Sequence, residues 1–244
     1  SIGTPTLYVG QINFAPYYNP ENGDFWVDGF TSSSGSVIFS YPFVGFALSS
    51  GTVVLNGASG STNNQGISTI NAAAGANSGY GWTTSSQSMD ISGRGPEFTG
   101  IIAFSATNNV VGKVGYFDSI NTSDGTDGAF IRWEFGYLRG VVYNNGSPTY
   151  TTTSNLLTAS TNAYFRTVTR CASDGTGATF FLLTATGPGT YTPNWTDTVT
   201  ATLPSGSSRS TGAGIIVHDT VGSASKELVR VDALGHRFTE RLIR

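Results

Sequence analysis

Lys113-Val-Gly-Tyr-Phe-Asp118, Gly128-Ala-Phe-Ile-Arg-Trp-Glu-Phe135 and Tyr137-Leu-Arg-Gly-Val-Val-Tyr-Asn-Asn-Gly146 decide how this chain folds. Each stretch is short, crowded with β-branched and aromatic residues, and bounded by Gly, Asn, Asp or Ser. That is the pattern of strands joined by tight turns. The same grammar extends in both directions. Towards the N-terminus it predicts strands at residues 6–14, 25–30, 36–39, 44–48, 52–55, 101–106 and 111–117. Onward from there it predicts 129–135, 138–143, 164–170, 178–185, 214–218 and 228–234. Asn22-Gly23, Asn56-Gly57, Asn145-Gly146 and Asp174-Gly175 fall between them as turn signals. Good helix formers rarely recur at three- and four-residue spacing. The reading is an all-β chain, an antiparallel β-sandwich rather than a βαβ fold.

Composition narrows the function classes. The 244 residues hold 12 Lys and Arg against 15 Asp and Glu, a net charge of −3, and only 11% of the chain is charged. A balance that is slightly acidic argues against nucleic acid or an anionic membrane as partner. No apolar run approaches the roughly 20 residues that span a bilayer, and no leader is read at Ser1. The one cysteine, Cys171, excludes an internal disulfide framework and reads as a small buried apolar residue.

Three regions are expected. Residues 1–87 form an extended N-terminal arm, a few strands and a Gly/Ser/Asn-rich loop over 58–88, packed on the same domain. Residues 88–235 form the sandwich core, and 236–244 a basic tail. From Lys226 onward the chain carries five of the 12 basic residues and three of the 15 acidic ones, so a basic end sits on an acidic body. Such asymmetry suits contacts between copies, with solvated strand charge as the alternative reading. Ile2, Leu7 and Tyr8 on the arm, which could add a strand to a neighbour, and Arg237, Phe238 and Arg241 on the tail are the expected assembly contacts.

Catalytic groups are sparse. Only His218 and His236 could serve a triad, and no Gly-x-Ser-x-Gly elbow is present. His218 and Asp219 are adjacent, so a strand would point them to opposite faces. Glu227 and Asp232, five residues apart, would be separated in the same way. No paired carboxylates of a retaining glycosidase are found, and the chain is read as no enzyme. The acidic loop after Phe117 offers Asp118, Asp124 and Asp127 as hard oxygen ligands, a candidate Ca²⁺ site without EF-hand spacing; no other cofactor is implied. Tyr80 and Trp82, in the Gly/Ser-rich loop, are the candidate sugar platform, with Tyr17, Tyr18, Trp26 and Trp195 as further loop aromatics; packing of these rings against a neighbouring subunit is the equal alternative. Trp133 alternates with Arg132 and Glu134 and reads as core. Strand alternation also puts Val114, Tyr116, Phe130, Val142, Phe180, Leu182, Ile216 and Val231 inside.

The order of strands from Gly93 through Gly146, with the later Ala213-Gly-Ile-Ile-Val-His218 and Leu228-Val-Arg-Val-Asp-Ala-Leu234, resembles the concanavalin A-like jelly-roll proteins of tailed-bacteriophage virions. The resemblance covers roughly residues 88–235 and lies in strand pattern. It implies a structural protein of a virion surface, a capsid decoration or fibre component. Its partners would be copies of itself, a trimer by the habit of such proteins, and other virion proteins. The same sandwich hosts lectins and glucanases, so a module recognising host cell-surface glycans, or an extracellular filament subunit, stands as the alternative.

Overall fold

A computed structural model describes residues 17–19, 24–28, 43–56, 67–84, 89–93, 95–157, 159–160, 163–187, 190–206, 211–222 and 224–238. Seventeen strands occur among them. They are β1 (Tyr17–Asn19), β2 (Asp24–Asp28), β3 (Phe43–Leu48), β4 (Thr52–Asn56), β5 (Ile67–Ala72), β6 (Ser78–Thr84), β7 (Pro96–Phe104), β8 (Val110–Phe117) and β9 (Gly128–Glu134). There follow β10 (Tyr137–Asn144), β11 (Ser147–Tyr150), β12 (Asn155–Leu156), β13 (Tyr164–Cys171), β14 (Gly177–Gly187), β15 (Thr190–Thr200), β16 (Gly212–Asp219) and β17 (Lys226–Phe238).

Two antiparallel sheets hold them all. The nine-stranded back sheet runs β1-β2-β17-β7-β13-β14-β15, with β5 also on β17 and β4 on β5. The eight-stranded front sheet runs β11-β10-β9-β8-β16-β6-β3, with β12 on β10. Every ladder is antiparallel, as hairpin and Greek-key connections require. The sheets close face to face on one core. From the back come Phe98, Ile102, Phe104, Phe180, Leu182 and Val231; from the front come Val114, Tyr116, Trp133, Leu138, Val142 and Ile215. Trp133 and Phe104 meet edge to face at 5.2 Å, an arrangement the ring quadrupoles favour.

The expected sandwich is present, and two long-range features correct the reading of its parts. The 58–88 segment is not one loop. Residues 67–72 and 78–84 are β5 and β6, each an interior strand of its sheet. In Ser78-Gly-Tyr-Gly-Trp-Thr-Thr84 the glycines hold one face and the aromatics the other, so a strand reads as loop composition. Strand β15 also escaped notice: its exposed positions are mostly threonine, and its inward residues are few. The predicted strands at 6–14 and 36–39 lie outside the described residues, as does the arm residue set Ile2, Leu7 and Tyr8.

Gly140 lets the two sheets approach closely. A Cβ on Gly140 would sit 2.1 Å from the ring of Phe180 across the interface. We predict that Gly140→Ala lowers stability by about 1–3 kcal/mol through overpacking. The cost should shrink in a Phe180→Leu background, because the two positions share one space. Urea unfolding of the four proteins checks this; equal costs in both backgrounds would show that the contact does not govern the spacing.

Candidate functional site

Strand parity gives the front sheet two unlike faces. Alternate residues enter the shared core, and the others point away from the back sheet. There Leu48, Phe117, Phe130, Val141, Tyr143 and Ile216 form a second buried cluster. Phe130 and Ile216 are therefore buried as expected, but on the opposite face from Trp133 and Val114. The pairing registers arrange these outward side chains in rows. One row begins Arg139, Arg132, Lys113, Ile216 on β10, β9, β8 and β16. Next to it lies Leu156, Tyr137, Glu134, Val111, His218 on β12, β10, β9, β8 and β16.

Three cations directly opposite one another on adjacent strands repel. The chain answers each one differently. Arg132 is paired with Asp124 at 3.0 Å and with Glu134. Lys113 donates to the backbone carbonyls of Ser119, at 3.0 Å, and Ser123. Arg139 has only a 4.0 Å approach to Glu134, and its guanidinium lies 4.0 Å over the ring of Tyr150. The groups that answer Arg132 and Lys113 come largely from the 118–127 loop, which these bonds tie across the outer face. Asp118 closes the neck of that loop, accepting from the Thr126 backbone N–H at 3.0 Å and its hydroxyl at 2.7 Å. Asn121 Oδ1 accepts from Ser119 Oγ and the Ser123 N–H, both at 2.8 Å, and shapes the tip.

The three aspartates named as calcium ligands thus hold three separate posts. Asp118 closes the neck, Asp124 meets Arg132 and the Tyr143 hydroxyl at 3.0 Å, and Asp127 accepts from the Asn145 N–H at 2.9 Å. Among the described residues no three metal-capable side chains converge. Asp124 and the Lys113 ammonium stand where that loop needs charge, so the ammonium does part of what a cation would do there. A cavity of about 10 Å³, room for one water, lies between Lys113, Asn121, Thr122, Asp124 and His218.

Burial lowers Lys113 to about 8, against the opposing pull of Asp124 and Asp118. His218 is 5% exposed, with its Nδ1 lacking a hydrogen-bond partner among the described residues. Burial first, then the charges of Lys113 and Arg132, lower it to about 4. His236 sits in the main core 2.7 Å from the Tyr116 hydroxyl, and burial lowers it to about 4 as well. Tyr143 is raised by burial and by its Tyr150 and Asp124 neighbours.

Other candidates fall elsewhere. Trp82 is 1% exposed and packs edge to face on the half-buried Tyr80 at 5.2 Å, so the expected sugar platform is core. Trp195 is also buried, donating to Thr153 Oγ1 at 3.0 Å. Cys171 is a free, buried thiol pushed well up by desolvation. Asp219 pairs with Lys226 at 3.1 Å rather than with His218. Register shifts in β17 on either side of Val229 and Val231 undo the parity that would separate Glu227 from Asp232, and both carboxylates act on Tyr164. Arg237 is held by Glu97 at 2.8 Å. Phe238 ends β17, while Arg241 and the side chains of Tyr17, Tyr18 and Trp26 lie outside the described residues.

The solvent-facing end of the outer face escaped the sequence reading. Tyr137 and Leu156 are cross-strand partners, 58% and 65% exposed, and Phe135 beside them is 52% exposed. The missed signal is Phe135-Gly136. Both residues have positive φ, 50° and 86°, the geometry of a two-residue hairpin loop. Recognising that loop pairs Tyr137 with Glu134 and Arg139 with Arg132 at once.

Architecture and registers together define a concanavalin A/legume-lectin-like β-sandwich. Residues 63–232 match the family described as SO2946-like, C-terminal domain, and the chain belongs to that family. No curated protein matches the sequence. The crystal structure of SO2946 from Shewanella oneidensis MR-1, a protein of unknown function, has the same fold with a TM-score of 0.68 at 17% identity. It covers 98% of this chain and 97% of that one. The carbohydrate recognition domain of Emp47p matches at 0.54 and 12% identity, over 82% of this chain and 89% of that one. A glycosidic hydrolase matches at 0.53 and 11%, over 89% and 96%. The lectin-like sandwich of the resemblance is thereby confirmed, whereas the family description carries no virion role.

The two histidines make a testable pair. Between their ordinary 6.5 and about 4, the unfolded chain binds protons that the folded chain refuses. Stability should therefore fall as pH drops through that window, by up to about 1.4 kcal/mol per pH unit for each imidazole. Denaturant melts at stepped pH, with NMR titration of both rings, measure it. Midpoints near 6.5 would contradict the burial argument.

Proposed function

We propose that this chain is a carbohydrate-binding module that holds its ligand without cleaving it. The observation that carries the reading is the cross-strand pair Tyr137 and Leu156, mostly exposed beside Glu134 and Arg139. Sugars offer apolar C–H faces that stack on an aromatic ring and hydroxyls that need planar donors and acceptors. Tyr137, with Phe135 and Leu156 around it, supplies the first; a carboxylate and a guanidinium supply the second. A fold shared with a carbohydrate recognition domain supports the same reading. Glu134 and Asp124 are engaged by Arg132, and Asp118 and Asp127 accept from backbone amides, which leaves none of these four posted as the proton donor that glycoside hydrolysis demands. A virion surface, with copies of the chain as partners, is a setting in which such a module would serve adhesion.

A glycan array followed by calorimetry tests the proposal. Tyr137→Ala should weaken binding of any captured glycan roughly tenfold or more, since a buried aromatic contact contributes that much. Its melting temperature should hold, because Tyr137 makes little of the core. An array without captured glycans would overturn the module reading. Hydrolysis of a captured glycan would overturn its non-enzymatic part.

A further inference from the structure

The row Arg139–Arg132–Lys113 is graded. Lys113 is buried and bonded to loop carbonyls, and Arg132 is held by two carboxylates. Arg139, at the outer end, is 40% exposed. Its partners among the described residues are Glu134 at 4.0 Å, a carboxylate already committed to Arg132, and the ring of Tyr150. The cation–π contact, 4.0 Å from the guanidinium carbon to the centre of the Tyr150 ring, takes up none of the N–H donors. It also limits the rotamers open to the side chain, so less entropy is lost when an anion docks. Tyr137 lies in the neighbouring row, two residues before Arg139 on the same face of β10, with Leu156 opposite it on β12.

We propose that the ligand of this face is an acidic glycan, one whose carboxylate or sulfate is received by the N–H fork of Arg139 while its ring stacks on Tyr137. The inference rests on the carbohydrate-binding reading and names the ligand class. A bidentate guanidinium–anion pair is the strong form of charge-assisted hydrogen bond. The two inner cations are engaged within the fold, Arg132 by two carboxylates and Lys113 by two loop carbonyls, so they do not compete for the anion. Glu134 stands opposite Tyr137 and 4.0 Å from the Arg139 guanidinium, so the anion is received on the edge of the fork turned away from that carboxylate.

The experiment uses matched pairs: oligogalacturonate and its methyl ester, sialylated and desialylated glycans, sulfated and desulfated galactans. Calorimetry is run on the wild-type chain, Arg139→Gln and Arg139→Lys. The expected result is at least one acidic member bound roughly tenfold or more tightly than its neutral partner. The preference should disappear in Arg139→Gln and recover in part in Arg139→Lys, with rising salt weakening only the acidic member. Equal affinity for charged and neutral partners, with binding still lost in Tyr137→Ala, would overturn the acidic class and leave the module standing. Acidic preference retained in Arg139→Gln would overturn the role of Arg139. Capture of none of the glycans, or of an acidic peptide alone, would overturn both readings.

Discussion

Three positive side chains at facing positions on β8, β9 and β10 constrain the front of this molecule more than any other feature. A strand cannot turn one residue away without moving all its neighbours to the other face. Once Trp133 and Leu138 enter the core, Arg132 and Arg139 must stand opposite each other outside it. The back sheet meets a comparable row with alternating sign. Buried Glu97 lies between Arg170 at 2.7 Å and Arg237 at 2.8 Å, on three adjacent strands. The front row has no anion of its own between its cations. Part of its compensation comes from Glu134, in the next row on β9, and the 118–127 loop brings the rest in the form of Asp124 and two carbonyls.

That requirement explains why a polar loop lies over an apolar cluster. Phe117, Phe130 and Val141 are fully buried on a face that would otherwise meet water. The Tyr143 hydroxyl, stacked ring on ring with Phe130 at 5.8 Å, reaches Asp124 and joins the cluster to the loop. The loop is thus fixed by charge at its tip, by the Asp118–Thr126 bonds at its neck, and by the Gly146 N–H to the Thr126 carbonyl at 2.8 Å. Aspartates that look like metal ligands in the sequence serve as partners for cations and backbone amides.

The sequence carried the strands that alternate plainly, and with them the sandwich. It hid those whose one face is glycine or threonine, as in β6 and β15, because period-2 reading needs two contrasting side-chain types. Trp82 was misplaced for the same reason: flanked by Gly81 and Thr83, it looks stranded in a loop, yet its parity sends it into the core. The outer face was illegible as a site because its rows exist only after pairing. Arg132, Lys113 and Arg139 are separated along the chain, and nothing local says they will adjoin. Asn145-Gly146 announced its turn, with φ of 54° and 77°. Phe135-Gly136 makes a turn of the same hand without announcing it.

The contrast between those two turns bears on function. Asparagine tolerates a left-handed backbone, while a bulky aromatic there costs on the order of 1 kcal/mol or more. An Asn at 135 would close the same hairpin more cheaply and would leave no apolar ring in water. Folding alone therefore does not account for Phe135. Its ring stands half-exposed at the end of the sheet where Tyr137 and Leu156 are also uncovered and where the cation row reaches its most exposed member, Arg139. Strain and exposed apolar area raise the free energy of the isolated chain, and both meet the solvent-accessible guanidinium of Arg139 at one edge of one face. A ligand that stacks on rings and carries an anion would cover that apolar area and pair that guanidinium together, which is why the binding reading is assigned to that edge and not to the buried aromatics of β6.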